Sequence, residues 1–160
     1  MEVSSKVLKT VKTLAEKYEI DCIAPNSIDF ITGIPFDIKA FETRLPWNKL
    51  TKDDQLDDEF IEFFRHKLDW YKIGMIGRLS EDFIKKYEDK LNWAMVSQHQ
   101  DLSEKFMEDN LDKLVWDKIV IGQNLSEEFI LKHVDRIPTH SLFVFQRLSP
   151  DFKHKYFGRY

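Results

Sequence analysis

LSEDFIKKYEDKLNWAMVSQHQD, residues 79–101, is followed without a gap by LSEKFMEDNLDKLVWDKIVIGQN at 102–124 and by LSEEFILKHVDRIPTHSLFVFQR at 125–147. A leucine therefore returns every 23 residues, and a phenylalanine stands four residues after each leucine. The same pair occurs on both sides of this stretch, at 56 with 60 and at 148 with 152. A fixed period of this length is typical of repeat proteins. Residues 56–160 are thus predicted to be copies of one structural unit.

The second position of each copy predicts the start of a helix. It is occupied by Asp57, Ser80, Ser103, Ser126 and Ser149. Serine and aspartate side chains accept a hydrogen bond from a free amide of the first helical turn, and the acidic residues that follow them suit the positive end of the helix dipole. The first helix of each unit is therefore predicted to begin at this position.

A second helix is predicted later in each unit. Lys67, Lys90, Lys113 and Arg136 place a cation where the first helix should end. Beyond them, apolar residues stand three apart, at Trp70 with Ile73, Trp93 with Val96, Trp116 with Ile119 and, more weakly, Thr139 with Leu142. One continuous helix is excluded, because 23 residues at about 100° each overshoot six turns by roughly 140°. A leucine-rich β-type repeat needs alternating leucines, which this unit lacks.

Two helices of about nine residues each are too short to be stable alone, so each pair must be stabilised by its neighbours. The predicted fold is therefore all-α, a short α-solenoid of 23-residue two-helix repeats. All of it is expected to form one continuous domain, with residues 1–55 preceding the repeats. The predicted repeats are 56–78, 79–101, 102–124, 125–147 and 148–160.

Residues 1–55 are predicted to hold a capping helix, an irregular segment and a degenerate repeat. Apolar residues at 3, 7, 11, 14 and 18 follow the spacing of an amphipathic helix. Membrane docking of this helix is the alternative, although it lacks large aromatic anchors. Residues 20–40 are expected to be irregular, with a turn of helix or a small hairpin. Leu45, Trp47 and Leu50 match the unit that follows, so 33–55 is interpreted as a degenerate repeat whose first helix is eroded.

The composition indicates an intracellular protein. The 24 basic and 28 acidic residues give a formal net charge of −4, which excludes a globally basic nucleic-acid binder. The single cysteine, Cys22, cannot form an internal disulfide, and the N-terminus lacks the apolar core of a signal peptide. We therefore expect a cytoplasmic protein.

The three quoted stretches resemble the Leu-Ser-Glu-x-Phe-Ile tandem repeats found in many uncharacterised proteins of large DNA viruses and bacteriophages. The resemblance covers 56–160 well and 33–55 poorly. It implies a helical array of viral or phage origin, and it implies no activity. The first copy departs from the pattern, with Asp57 in place of serine and Gly77 in place of glutamine.

No catalytic, cofactor or metal site is predicted. The histidines, at 66, 99, 133, 140 and 154, lack metal-ligand spacing and are interpreted as surface residues. An acidic run of Asp53, Asp54, Asp57, Asp58 and Glu59 could attract a cation, but it lacks the glycine and the final glutamate of a calcium loop. It is interpreted as a solvated cluster at a helix start.

Two recurring side chains have both a structural and a functional interpretation. Gln100, Gln123 and Gln146 could line a groove, but we favour the interpretation that their amides satisfy backbone groups in the turn between units. The tryptophans at 47, 70, 93 and 116 could stack on bases, but they share a face with buried aliphatic residues and are expected in the core.

Function is expected at positions that differ between copies. Those on the second helix are chemically mixed and suit recognition of a protein partner. The candidate partner-binding residues are Tyr71, Lys72, Met75, Met95, Gln98, His99, Asp117, Lys118, His140, Phe143 and Phe145. The sequence therefore favours a non-enzymatic module that binds a host or viral protein, with inhibition of host defence as a special case. The alternative is a protein that binds RNA or single-stranded nucleic acid.

Overall fold

The computed structural model describes residues 3–22 and 37–158, and this part of the chain is mostly helical. The predicted predominance of helices is therefore confirmed. Two short 3-10 turns, at Trp47–Lys49 and Lys52–Asp54, and two strands of two residues accompany the helices. The α-helices are α1 (Ser5–Lys17), α2 (Ile38–Arg44), α3 (Asp58–Phe63), α4 (Trp70–Ile76), α5 (Glu81–Lys86), α6 (Trp93–His99), α7 (Glu104–Asp109), α8 (Trp116–Gly122), α9 (Glu127–Lys132), α10 (Thr139–Phe145) and α11 (Pro150–Phe157).

The chain divides into two compact units. The first comprises the described residues of Met1–Asp69 together with Ile76–Leu79. The second comprises Trp70–Met75 and the described residues of Ser80–Tyr160. None of the helices within the described ranges is long and apolar enough to cross a membrane.

The N-terminal helix of the first unit is present as predicted. The Ser4 side chain caps α1 by accepting a hydrogen bond from the Val7 amide at 3.2 Å. Val7, Val11 and Leu14 are buried, as the spacing of apolar residues predicts, and α1 packs against α3. The hairpin considered for residues 20–40 falls mainly on 23–36, which lie outside the described residues.

In the segment predicted to be a degenerate repeat, the first described helix is regular and the second is reduced to a 3-10 turn. The expectation of an eroded first helix is wrong, because α2 is a regular helix of 7 residues with Phe41 fully buried. Its start is fixed by Asp37, whose side chain accepts from the Ala40 amide at 3.0 Å. After Pro46 the chain forms only the 3-10 turn Trp47–Lys49, since Leu50 already has an extended backbone.

A short pair of parallel strands in the first unit was not predicted. Strand β1 (Leu56–Asp57) pairs with β2 (Gly77–Arg78), and Leu56 lies opposite Gly77. Strands of two residues are too short for an alternating pattern to reveal them. The pairing occurs where the first copy carries glycine instead of glutamine.

The first helices begin where the sequence predicts. The side chains of Asp57, Ser80, Ser103, Ser126 and Ser149 each accept a hydrogen bond from the amide of the phenylalanine three residues later, at 2.9–3.1 Å. The helices are, however, shorter than the nine residues expected. Those that start after the first four caps have 6 residues each, and α4, α6, α8 and α10 have 7.

The early end of the first helices has a local cause. In α5 the helix stops at Tyr87, whose backbone angles of φ −117° and ψ 24° leave the helical region. A turn follows, closed by a hydrogen bond from the Lys90 amide to the Tyr87 carbonyl at 2.9 Å. The cation that was expected to mark the helix end therefore lies in the turn beyond it.

The core of the second unit comes from both kinds of helix. Each first helix buries a phenylalanine and its neighbour, and α6, α8 and α10 each bury completely the aliphatic residue at the same position of the repeat. These residues are Phe83, Ile84, Phe106, Met107, Phe129 and Ile130, with Val96, Ile119 and Leu142. Helix α8 packs against both α6 and α10. The approach of α8 to α6 is close, since a Cβ atom on Gly122 would lie 2.1 Å from the Gln98 carbonyl oxygen.

Candidate functional site

The recurring glutamines bind backbone groups, which confirms the structural interpretation for them. The Gln123 Nε2 donates to the carbonyls of Ser97 at 2.9 Å and Gln100 at 2.6 Å, while its Oε1 accepts from the Leu102 amide at 3.1 Å. Gln146 repeats this arrangement one unit later, with the carbonyls of Val120 and Gln123 and with the Leu125 amide. All three glutamines are buried. Their amides are therefore engaged within the chain.

A second set of contacts between successive repeats uses the glutamate of the Leu-Ser-Glu motif. Glu81, Glu104 and Glu127 each accept from the amide of the capping serine in the next copy, at 2.7 Å. Sequence reasoning assigned these acids only to the helix dipole. The signal that could have revealed the contact is the recurrence of the glutamate at the same position in all three copies.

The tryptophans of the second unit are half-buried and packed against rings and lysines. Trp93 stacks on Phe106 with ring centres 6.5 Å apart, and Trp116 stacks on Phe129 at 6.3 Å. The Trp93 indole N–H donates to the Glu88 carbonyl at 3.1 Å, and the Lys113 Nζ lies 5.6 Å from its ring centre. The expectation of a core position is thus correct only in part, because these tryptophans are half-buried.

His133 is buried, contrary to the expectation that all histidines lie on the surface. Only 7% of it is exposed, and its ring lies between Trp116 and Phe129, at 5.3 Å and 4.6 Å between centres. Its Nε2 contacts Glu108 Oε1 at 2.9 Å. Tyr87, at the same position two copies earlier, packs on Phe83 in the same way, whereas the copy between them has Asn110 there. A flat imidazole ring can therefore pack where a tyrosine ring packs.

Two carboxylates of the acidic run in the first unit are paired with lysines, so the run is not a solvated cluster throughout. The Asp54 side chain is fully buried and binds the Lys17 Nζ at 2.6 Å and the Thr51 amide at 2.7 Å. The hydrogen bond to Asp54 raises the pKa of Lys17. Asp57 caps α3 and lies 3.2 Å from the Lys6 Nζ. These carboxylates thus join α1 to the segment before α3.

The residues predicted to bind a partner lie on the second helices of the second unit. Their exposed side chains are called the second-helix surface, defined by Trp70–Met75, α6, α8 and α10. Tyr71, Asp117, His140 and Phe145 are exposed, and Lys72, Met75, Met95, Gln98, His99, Lys118 and Phe143 are half-buried. A Cβ atom on Gly74 would lie 3.2 Å from side-chain atoms of Met95 and Val96. Helix α8 contacts α6 and α10, so successive second helices are neighbours.

Two exposed residues of this surface were missed. Ile121 is 39% exposed and Val144 is 72% exposed. They stand 46 and 69 residues after Met75, and thus at the same position of the repeat as Met75 and Gln98, which were predicted. The shared position was the signal that could have found them.

The second-helix surface carries few charges and many exposed apolar groups. Helices α6 and α10 contain no Asp, Glu, Lys or Arg, and α8 contains one acid and one base. The first helices α5, α7 and α9, by contrast, carry four, four and three charged residues among six. Most of the large apolar residues that are exposed lie on the second helices, at Tyr71, Ile121, Val144 and Phe145.

The described residues contain no group of three or more His, Cys, Asp or Glu side chains that could hold a metal ion. Comparison of the chain with models of protein families, with curated proteins and with solved structures finds no match.

Proposed function

We propose that this chain is a non-enzymatic α-solenoid that binds a protein partner through the second-helix surface. The partner is a host or viral protein, and the chain acts in the cytoplasm of an infected cell. Interference with host defence is the special case that we favour. The viral or phage part of the proposal is supported by the resemblance of its repeated stretches alone.

One observation carries the binding proposal. Exposed apolar side chains are concentrated on helices that have almost no charges, while the neighbouring first helices are highly charged. The central part of a protein interface is depleted in charged residues and enriched in aromatic residues and methionine. Tyr71 and Phe145, with the half-buried Met75 and Met95, match this composition.

The solenoid part of the proposal is supported by repeated contacts in the second unit. Helices α5, α7 and α9 start 23 residues apart, at 81, 104 and 127. Contacts of Gln123 recur at Gln146, and the contact from Glu81 to Ser103 recurs one copy later. Each copy thus binds the next through equivalent atoms, as nearest-neighbour stacking requires.

The proposal is tested by capture with a matched control. The immobilised full chain is compared with the double variant Tyr71→Asp/Val144→Asp and with Lys105→Asp, which places the same residue on the exposed side of α7. Lysate comes from cells that express the gene. We expect a stoichiometric protein that is retained by the wild type and by Lys105→Asp and is lost from the double variant.

Circular dichroism spectra and melting curves establish that each variant is folded. Recovery of nucleic acid without a stoichiometric protein would contradict the proposal and favour the nucleic-acid alternative. In that case, retention should fall steeply as the salt concentration rises. A protein that the double variant retains as well as the wild type does would place the binding surface elsewhere.

A further inference from the structure

Helix α10 is covered less than the other second helices at equivalent positions. Ser97 of α6 and Val120 of α8 are completely buried, and the next residue is half-buried in α6 and 39% exposed in α8. In α10 this next residue is Val144, which is 72% exposed. Phe145, which follows it, is 49% exposed.

The side of the second helix on which Val144 lies is a helix-packing side. In α6 the equivalent residue is Gln98, and the backbone of Gly122 in α8 approaches it so closely that a Cβ would overlap the Gln98 carbonyl. In α8 the equivalent residue is Ile121, and α10 packs on α8. The exposed side of α10 therefore continues a packing surface that accepts an α-helix twice within this chain.

The charged residues that flank α10 in the chain are basic. Residues 136–149 contain two arginines and one histidine but no carboxylate. Arg147, just after α10, is exposed, and Arg136, just before it, lies 3.8 Å from an exposed Asp112 carboxylate. An apolar strip with basic ends is complementary to an apolar strip with acidic ends.

Resting on the proposed function, we infer that the partner supplies an amphipathic α-helix whose apolar stripe packs on Val144 and Phe145. Carboxylates beside that stripe face Arg147 and Arg136. The apolar anchors of such a helix stand at the i, i+3 or i+4, and i+7 spacing that helix-in-groove recognition uses. The surface of α10 is thus the part of the second-helix surface that determines which partner binds.

The inference is tested with a display library of helical peptides of about 16 residues, which span about 24 Å. The peptides are randomised on their surface positions and selected on the full chain. We expect enriched peptides to share apolar residues at the helical spacing and flanking Asp or Glu. Their affinity should fall about tenfold or more for Val144→Asp. It should fall less for Arg147→Glu, with a reduced dependence on salt.

Asn124→Asp is the matched control, because it adds the same charge at an exposed position between α8 and α9, outside the second-helix surface, and it should leave peptide binding nearly unchanged. Enriched peptides without helical spacing, or with equal affinity for Val144→Asp, would overturn the inference, as would the absence of any enrichment. Light scattering of the full chain tests a second copy as the occupant. A dimer that Val144→Asp dissociates would also overturn the inference.

The two proposals fail in distinguishable ways. If capture of a cellular protein is lost in Tyr71→Asp/Val144→Asp but no helical peptide is enriched, the protein-binding function stands and the helical partner is wrong. If neither a cellular protein nor a peptide is retained, both proposals fall.

Discussion

The first and second helices of the second unit pack against their neighbours through different kinds of side chain. Helices α5, α7 and α9 are capped by serine and bury a phenylalanine. A glutamate of each accepts a hydrogen bond from the backbone amide of the capping serine in the next copy. Helices α6, α8 and α10 end at a buried glutamine that binds backbone groups of the preceding copy. The first set exposes charges, and the second set exposes apolar groups.

The difference shows which positions are free to vary. In the first helices, the buried phenylalanine and the capping serine stabilise the structure. The exposed positions carry charged residues. In the second helices, one buried aliphatic position, one glutamine and the tryptophan shared by three copies provide most of the packing, and most of the other positions differ between copies. Residues that recognise a partner are best placed where packing constrains the residue type least, which is on the second helices.

The largest expected effect separates a buried from an exposed phenylalanine. Phe106→Ala should lower the free energy of unfolding by about 3–5 kcal/mol, because it leaves a cavity in the core of the second unit. Phe145→Ala, at a position that is 49% exposed, is the matched control and should change it by about 0.5 kcal/mol or less. Urea unfolding measures both. Equal effects would remove the distinction between the two sets of helices.

The next effect concerns the glutamine junction. Gln123→Ala should lower the free energy of unfolding by about 2–3 kcal/mol, because the Leu102 amide and the carbonyls of Ser97 and Gln100 all lose a buried partner. Asn124→Ala, at the exposed neighbouring position, is the control. Hydrogen exchange should show faster exchange of the Leu102 amide in the first variant only. Unchanged exchange of the Leu102 amide in Gln123→Ala would contradict the prediction that the Gln123 side chain protects it.

A smaller effect is expected at the serine cap. Ser126→Ala should lower the free energy of unfolding by about 1 kcal/mol, since the Phe129 amide loses the hydroxyl that caps α9. The same hydroxyl donates to Glu104 Oε2 at 3.0 Å, so the variant also weakens the contact with the preceding copy. Thermal unfolding of Ser126→Ala and Ser126→Asp compares the two roles. Aspartate should restore the cap but not the contact, because two carboxylates would then face each other.

The smallest effect depends on pH. The hydrogen bond from Lys132, followed by that from His133, lowers the pKa of Glu108 below its usual value. A carboxylate with a lowered pKa stabilises the folded state above the pKa of the unfolded chain, and this stabilisation is lost as the pH falls through the folded pKa. Wild type should therefore be more stable than Glu108→Gln at pH 7, and the two should converge in acid. Chemical denaturation at a series of pH values measures this difference, and a constant gap down to acidic pH would contradict it.

The sequence predicted the helix starts because one residue decides each of them. The side chain of the serine or aspartate at the second position of each copy caps its helix by accepting a hydrogen bond from a first-turn amide. The ends of the same helices were misplaced, because no single residue marks them. The cation at Lys90 lies in a turn that closes on Tyr87.

The sequence predicted only part of the candidate surface, because exposure is not marked by single residues either. Variable polar residues such as Gln98 are visible as departures from the repeat, but Ile121 and Val144 look like core residues in the sequence. Their exposure follows from how far the neighbouring helix covers them, which is a property of packing. His133 was misassigned in the opposite direction, since its burial depends on the rings of Trp116 and Phe129.

The glutamine junction also bears on aggregation. In the first unit, Leu56 is paired with Gly77 by parallel strands. The backbone amides of Leu102 and Leu125 instead donate to the side-chain oxygens of Gln123 and Gln146, at the same separation of 21 residues. A glutamine side chain ends in an amide group on a flexible stem. It can therefore form the hydrogen bond that a neighbouring strand would form, although no strand is present. A sheet that grew by one strand per copy would present an open edge to other chains. Successive copies that are joined by glutamine side chains create no such open edge.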